Sequence, residues 1–183
     1  MKLLRIVRYL LTHYFYQPFR FAGNVHPPLF VKGDKYIELG LCFNGGNNLR
    51  FECIDRYLEF CYSPKLMIGN NVSMNNNVHI GVILEVTIGD NCLFGSNILI
   101  TDHSHGDPHN LKPIQRVYKK LDLHSSGPVR IGSNVWLGDN VSILDNTCIG
   151  DNSIVGANSV VKGYFPANSI IVGVPGKVVR RIE

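Results

Sequence analysis

The run ITDHSHGDPHN, from Ile100 to Asn110, brings His103, His105, Asp107 and His109 together at H-x-H-x-D-x-H spacing. Imidazoles and a carboxylate this close could ligate a divalent ion. Alternatively, a single neutral imidazole could accept a proton near neutral pH and act as a general base. The residues alone allow both chemistries, so the choice rests on the elements that position them.

Those elements are written as a six-residue repeat. VRIGSN, VWLGDN, VSILDN, TCIGDN, SIVGAN and SVVKGY put Ile131, Leu137, Ile143, Ile149, Val155 and Val161 at one equivalent position. The same phase runs earlier through Ile68, Met74 and Ile80, then through Ile88, Phe94 and Ile100, with two extra residues between Ile80 and Ile88. This period fits neither strand alternation nor a helix, but it suits short strands parted by turns. The Gly, Asn and Asp that close each hexad tolerate tight corners, and the aliphatic residue stacks inward on its copy about 4.8 Å along the axis. The pattern predicts a parallel β-helix of triangular section. It makes Ile100 a core residue and His103 the corner where a coil gives way to a loop.

The repeats lapse twice. Gly23 to Lys65 keeps only ragged alternation and is expected to form irregular opening coils, while the polar stretch 101–128 is a long excursion of the kind that carries function on a rigid scaffold. Ahead of these, Leu3, Ile6, Val7, Leu10, Leu11 and Tyr14 recur at helical spacing opposite Lys2, Arg5 and Arg8. Residues 1–20 are therefore expected to form an amphipathic helix, packed on the domain or lying at an anionic membrane surface. The expected organisation is this helix followed by one domain, 21–183.

Composition narrows the class. A chain of 183 residues, 45% of them hydrophobic, can bury a substantial core. Its net charge of +4 is modest and dispersed, which speaks against nucleic acid as a partner. Five cysteines without C-x-x-C spacing suggest neither a disulfide framework nor a zinc knuckle and fit a reducing cytoplasm. No run approaches the roughly 18 apolar residues of a membrane span, and Arg5 and Arg8 interrupt the run that a signal peptide would need.

The hexads, the loop opening DHSHG, the block IGSNVWLGDNVSIL and the ending IVGVPGKVVR together resemble the bacterial hexapeptide-repeat O-acetyltransferases, over Leu66 to Arg181. Within them the chain looks most like the enzymes of polysaccharide and lipopolysaccharide biosynthesis, with galactoside and maltose acetyltransferases more distant. The resemblance implies a left-handed β-helix, a homotrimer with active sites between neighbouring prisms, and direct acetyl transfer from acetyl-CoA to a sugar hydroxyl, with no metal. Handedness cannot come from the period, and it runs against the usual right-handed crossover.

The resemblance also implies roles for residues. His103, closing the hexad that enters the loop, is the expected general base; Asp102 either orients its ring or serves the turn. His105 shares the DHxHG pattern and either shapes the loop or meets the acceptor. Asn75 falls where related enzymes face the acceptor with an amide, which both donates and accepts, although turn asparagines are abundant here. An acidic residue that some relatives place in the following coil has Val82 as its nearest equivalent. His79 reads as a surface or interface residue. Trp136, outward in VWLGDN, is expected to wall the cleft, with Gly138, Ser142, Gly156 and Ala157 along the path of a slim thiol arm. Gly173, Pro175 and Lys177 match the family's ending, and Lys177, Arg180 and Arg181 suit the phosphates of coenzyme A. A backbone N–H is expected to meet the oxyanion.

Three alternatives compete. A γ-class carbonic anhydrase has the same fold and would use His79, His103 and His109 as metal ligands. The H-x-H-x-D-H run of the metallo-β-lactamase fold is another likeness, but Pro108 adds a residue and the flanking hexads do not suit that fold. A catalytically idle scaffold is the third. The tryptophan and the VPGK ending favour the coenzyme over the other readings.

Overall fold

A computed structural model describes residues 24–107 and 117–183. The expected helix at 1–20 and His109 lie outside the described residues.

The chain winds into a parallel β-helix whose short strands stack on three faces. Face one is an eight-stranded sheet that includes Asn24–Val25, Asn44–Gly45, Ser73–Met74, Leu93–Phe94, Trp136–Leu137, Ile154–Val155 and Ser169–Val172. Its last strand, Lys177–Arg181, turns back antiparallel against Ser169–Val172. Faces two and three are joined in a ten-stranded sheet. Face two carries Leu29–Lys32, Leu49–Cys53, His79–Val82 and Leu99–Thr101; face three carries Ile37–Leu39, Leu66–Ile68, Val86–Ile88 and Val129–Ile131. The long strands Ser142–Ile149 and Val160–Phe165 bend across both.

The six-residue phase dictates which side chains go inward. Ile80, Phe94, Ile100, Leu137, Ile143, Val155 and Val161 are completely buried, and Ile68, Met74, Ile88, Ile131 and Ile149 nearly so. Each such side chain contributes about 1.5–3 kcal/mol when removed from water. At the corners, asparagines take the left-handed conformation that few other residues tolerate, among them Asn77, Asn97, Asn140 and Asn158 with φ near 60°. Their amides form a ladder: Asn48 donates to Asn77, Asn77 to Asn97, Asn97 to Asn140 and Asn140 to Asn158, at 2.9–3.1 Å. Carboxylates continue the pattern, with Asp90, Asp139 and Asp151 each accepting a backbone N–H from the preceding coil at 2.6–2.7 Å. The asparagine content is thus a property of the scaffold. Coils meet so closely there that a Cβ on Gly132 would fall 2.2 Å from Asp151 Oδ1.

The stretch 23–65 differs from expectation. Its strands pair in parallel register with the later coils, Ile37 with Leu66, Asn44 with Ser73 and Phe51 with Ile80, so the regular scaffold is present from Asn24. Only the segment after Cys53 departs, as a hairpin pairing Arg56–Tyr57 with Phe60–Cys61. The regularity was obscured because corners such as CFNGGNN depart from the IGDN type, although LRFEC still alternates buried and outward residues. The excursion begins with a second antiparallel pair, Ser104–His105 with Leu123–His124. The two insertions support one another: Tyr57 Oη donates to the Lys119 carbonyl at 2.9 Å, and the Leu123 N–H donates to Tyr62 Oη at 2.8 Å.

Candidate active site

Strand Leu99–Thr101 delivers the next two residues to the corner between faces two and three. Asp102 is completely buried. Its carboxylate accepts three consecutive backbone N–H groups: Ile83 on Oδ1 at 2.9 Å, then Leu84 and Glu85 on Oδ2, each at 2.8 Å. Leu84 and Glu85 are the two residues that interrupt the hexad phase, so the interruption forms the amide cradle. That turn is tied down in turn, because Glu85 pairs with Arg130 at 2.7 Å and its carbonyl accepts the Val129 N–H.

His103 Nδ1 lies 3.0 Å from Asp102 Oδ1. A carboxylate oxygen can only accept here, so Nδ1 carries the proton and Nε2 holds the lone pair. The Thr101 hydroxyl fixes the local backbone by accepting the His103 N–H at 3.3 Å and donating to the His103 carbonyl at 3.1 Å. The His103 side chain keeps 13% of its surface exposed, enough to be reached from one side. This arrangement holds one ring and one tautomer, and it can take up a proton on Nε2 with a buried negative charge beside the imidazolium that forms.

Gly81 packs directly beside the ring: a Cβ there would sit 3.2 Å from His103 Cε1 and 3.8 Å from His79 Nε2. His79, expected to be a surface or interface residue, is half-buried and lies 3.0 Å from Glu52 Oε2. Arg50 Nε reaches the same oxygen at 2.6 Å. Burial pushes the Glu52 carboxyl up, but Arg50 and His79 outweigh it and hold the group below its usual range. Burial draws the His79 imidazole down, against the pull of Glu52. Sequence reasoning missed Glu52 and Arg50. The six-residue phase, continued back through Phe51, would have aligned Glu52 with Gly81 and Thr101.

The other expected residues divide between faces. Asn75, Trp136, Gly138 and Ala157 line one groove of about 380 Å³ on face one, together with Leu93, Gly95 and Gly156. Trp136 is half exposed there. The outward column runs in register from Leu93 through Trp136, Ile154 and Ile170 to Arg180, with Lys177 opposite Val172 on the same sheet. Three interstrand steps separate Trp136 from Arg180, about 14 Å. Small residues beside an aromatic wall, ending in exposed cations, suit a slender arm with an anionic end. Ser142 lies apart from the groove, on face two opposite Leu99. Asp102, His103 and His105 do not line the groove either. His105 is exposed, its ring 5.4 Å from that of Tyr57 in an edge contact, and Gly106 beyond it takes the positive φ that ends the turn. Val82 is buried and offers nothing to an acceptor.

Among the described residues no group of three or more His, Cys, Asp or Glu is placed to hold a metal ion.

This chain belongs to the hexapeptide-repeat acetyltransferases. Residues 128–163 match the family described as bacterial transferase hexapeptide (six repeats), and residues 85–99 match the hexapeptide repeat of succinyl-transferase. The chain is 38% identical over 181 residues to WbbJ of Escherichia coli, named as a lipopolysaccharide biosynthesis O-acetyl transferase, covering 97% of this chain and 87% of that protein. It is also 38% identical over 161 residues to the galactoside O-acetyltransferase of Escherichia coli, covering 88% of this chain and 74% of the relative. A solved galactoside acetyltransferase in complex with coenzyme A superimposes with a TM-score of 0.55 at 25% identity, covering 98% of this chain and 80% of that one.

Proposed function

We propose that this enzyme transfers an acetyl group from acetyl-CoA to a hydroxyl of a sugar in a cell-surface polysaccharide or lipopolysaccharide precursor, with His103 as general base. The Asp102–His103 pair carries the reading, a completely buried carboxylate held by three amides and holding the imidazole by Nδ1. The named activities of the two Escherichia coli relatives support a hydroxyl acceptor.

In the reaction, His103 Nε2 takes the proton of the acceptor hydroxyl as its oxygen attacks the thioester carbonyl carbon. Asp102 stabilises the imidazolium by its charge without taking the proton. The carbon–sulfur bond then breaks, and Nε2–H returns the proton to the departing thiolate of coenzyme A. Preorganised amides or an amide side chain such as Asn75 would meet the charge on the carbonyl oxygen or orient the acceptor.

The groove of face one takes the pantetheine arm, Trp136 walls it, Gly138 and Ala157 let it lie close, and Lys177 and Arg180 pair with the phosphates. His105 shapes the loop or meets the acceptor, and Ser142, on another face, is left out of the path of the arm. Because base and groove lie on different faces of one prism, the complete site requires a neighbouring copy, which fits a homotrimer of left-handed coils. Residues 1–20 would bring the enzyme to the inner face of a membrane carrying lipid-linked acceptor, from the cytoplasm. No helix among the described residues is long and apolar enough to cross a membrane.

The test is release of coenzyme A from acetyl-CoA in the presence of a glycoside acceptor. His103→Ala is expected to abolish it, and prior treatment with a chelator to leave the wild type unchanged. Activity that disappears with the chelator would refute the reading.

A further inference from the structure

Face two carries a second carboxylate–imidazole pair close to His103, and its geometry is that of a binding group left half used. Glu52 is in register with Gly81, which is in register with Thr101. These three outward positions form a column, and the middle one has no side chain. Gly81 is buried, and the groups nearest to where its Cβ would lie are His103 Cε1 at 3.2 Å, Thr101 Oγ1 at 3.7 Å and His79 Nε2 at 3.8 Å, with Glu52 held against that same His79 nitrogen.

The Glu52 side chain is only 14% exposed, yet both of its described donors, Arg50 Nε at 2.6 Å and His79 Nε2 at 3.0 Å, converge on Oε2. Among the described residues Oε1 has no partner. No buried side-chain oxygen among the described residues lacks a partner, so Oε1 is the solvent-reached end of the carboxylate and is open to a ligand. Arg50 is itself braced from behind by the Phe30 ring, 5.4 Å away. The carboxylate is therefore held in one position, with a spare acceptor near His79, which with the His103 ring flanks Gly81. Toward a sugar hydroxyl it can only accept.

We propose that Glu52, held by His79 and Arg50, determines acceptor specificity by accepting a hydrogen bond from a second hydroxyl of the sugar, a neighbour of the one that His103 deprotonates. The enzyme then selects acceptors carrying two hydroxyls close enough for one to reach His103 Nε2 and the other Glu52 Oε1. Arg50 and His79 are positioning residues, since they act through the carboxylate. This assignment rests on His103 being the base.

The test uses the full-length enzyme, acetyl-CoA and a panel of methyl hexopyranosides (galactoside, glucoside and mannoside), each with its monodeoxy analogues. Wild type is expected to discriminate about 100-fold or more against one monodeoxy analogue of its best glycoside, as a site built to bind a hydroxyl does. Glu52→Gln keeps the shape and the His79 contact but removes the charge. It should lower kcat/KM for the intact glycoside roughly 10- to 100-fold, mostly through the acceptor KM. It should leave the KM for acetyl-CoA unchanged and bring intact and deoxy acceptors near parity.

An unchanged discrimination ratio in Glu52→Gln overturns the proposal, as does an equal fall in kcat for every acceptor or failure of the wild type to acetylate any glycoside of the panel. His103→Ala is run beside it. Retained turnover in that variant would remove the base while leaving the Glu52 ratio to be read, so the two assignments fail separately.

Discussion

The Nδ1 atom of His103 is 3.0 Å from an Asp102 oxygen that also accepts the Ile83 amide, so the ring is anchored through a carboxylate to the turn where Leu84 and Glu85 break the six-residue phase. Asp102→Asn would replace one carboxylate oxygen by an amide nitrogen that cannot accept. Either an amide of the 83–85 turn or His103 Nδ1 then loses its partner, and the tautomer with its lone pair on Nε2 is no longer enforced. The expected result is a fall in kcat of roughly 100-fold or more with the KM for acetyl-CoA little changed. Unfolding should cost about 1–3 kcal/mol less. Steady-state kinetics and chemical denaturation would check both, and a variant with wild-type kcat would show that Asp102 serves only the turn.

Much of this was legible beforehand because the scaffold is periodic. A repeat of six applies the same constraint at each coil, so one phase predicts Ile100 in the core and Trp136 outward, both as found. It also makes Asn75, Gly138 and Gly156 neighbours, because equivalent positions stack, and they line one groove. The partners of Asp102 were not legible. They depend on how the extra Leu84 and Glu85 fold, and an interruption has no second copy from which to read it. Glu52 was hidden for a related reason: its coil lacks the usual corner residues, and its meaning comes from the missing side chain of Gly81 in the next coil.

Acid should weaken the fold through His79 and Glu52. Burial lowers the His79 pKa below its ordinary 6.5, and the balance of Arg50 and His79 against burial lowers the Glu52 pKa below 4.5. In both cases the unfolded chain binds the proton more readily, so stability rises with pH. The His79 contribution is complete above 6.5 and is lost as pH falls through its lowered folded value; that of Glu52 is complete above 4.5 and is lost below it. Tm should therefore be level above the first value and fall in two stages. His79→Gln should flatten the upper stage and Glu52→Gln the lower one. Identical profiles for all three proteins would contradict the assignment.

The cysteines should differ sharply in reactivity. Cys42 and Cys61 are exposed, while Cys53 and Cys92 are buried in the coil interior. Burial, with the Asp102 charge nearby, pushes the Cys53 thiol up to about 12, and burial also raises Cys92. A thiolate is the reactive form, so iodoacetamide at neutral pH should modify Cys42 and Cys61 in the native protein and spare the other two until denaturant is added. Peptide mass mapping would decide it, and early modification of Cys53 would mean that the second coil opens readily.

Coenzyme A should stabilise the protein along face one, and two variants divide that effect. Trp136 lies in the groove and Lys177 at the basic end of the same sheet, opposite Val172. A ligand that binds only the folded state raises Tm by an amount set by its concentration relative to Kd. Lys177→Ala removes an exposed cation that makes no described ion pair, so it should leave the ligand-free Tm unchanged while weakening coenzyme A binding about 5- to 20-fold, the range of one charge-assisted contact to phosphate. Trp136→Ala should also reduce the shift, but it acts on the arm and not on the phosphates. The distinction is made with dephosphorylated probes: pantetheine should lose affinity for the Trp136 variant and bind the Lys177 variant as it binds wild type. Equal thermal shifts for coenzyme A in wild type and Lys177→Ala would remove Lys177 from the phosphate site, leaving Arg180, the next cation along the same strand, as the residue to test.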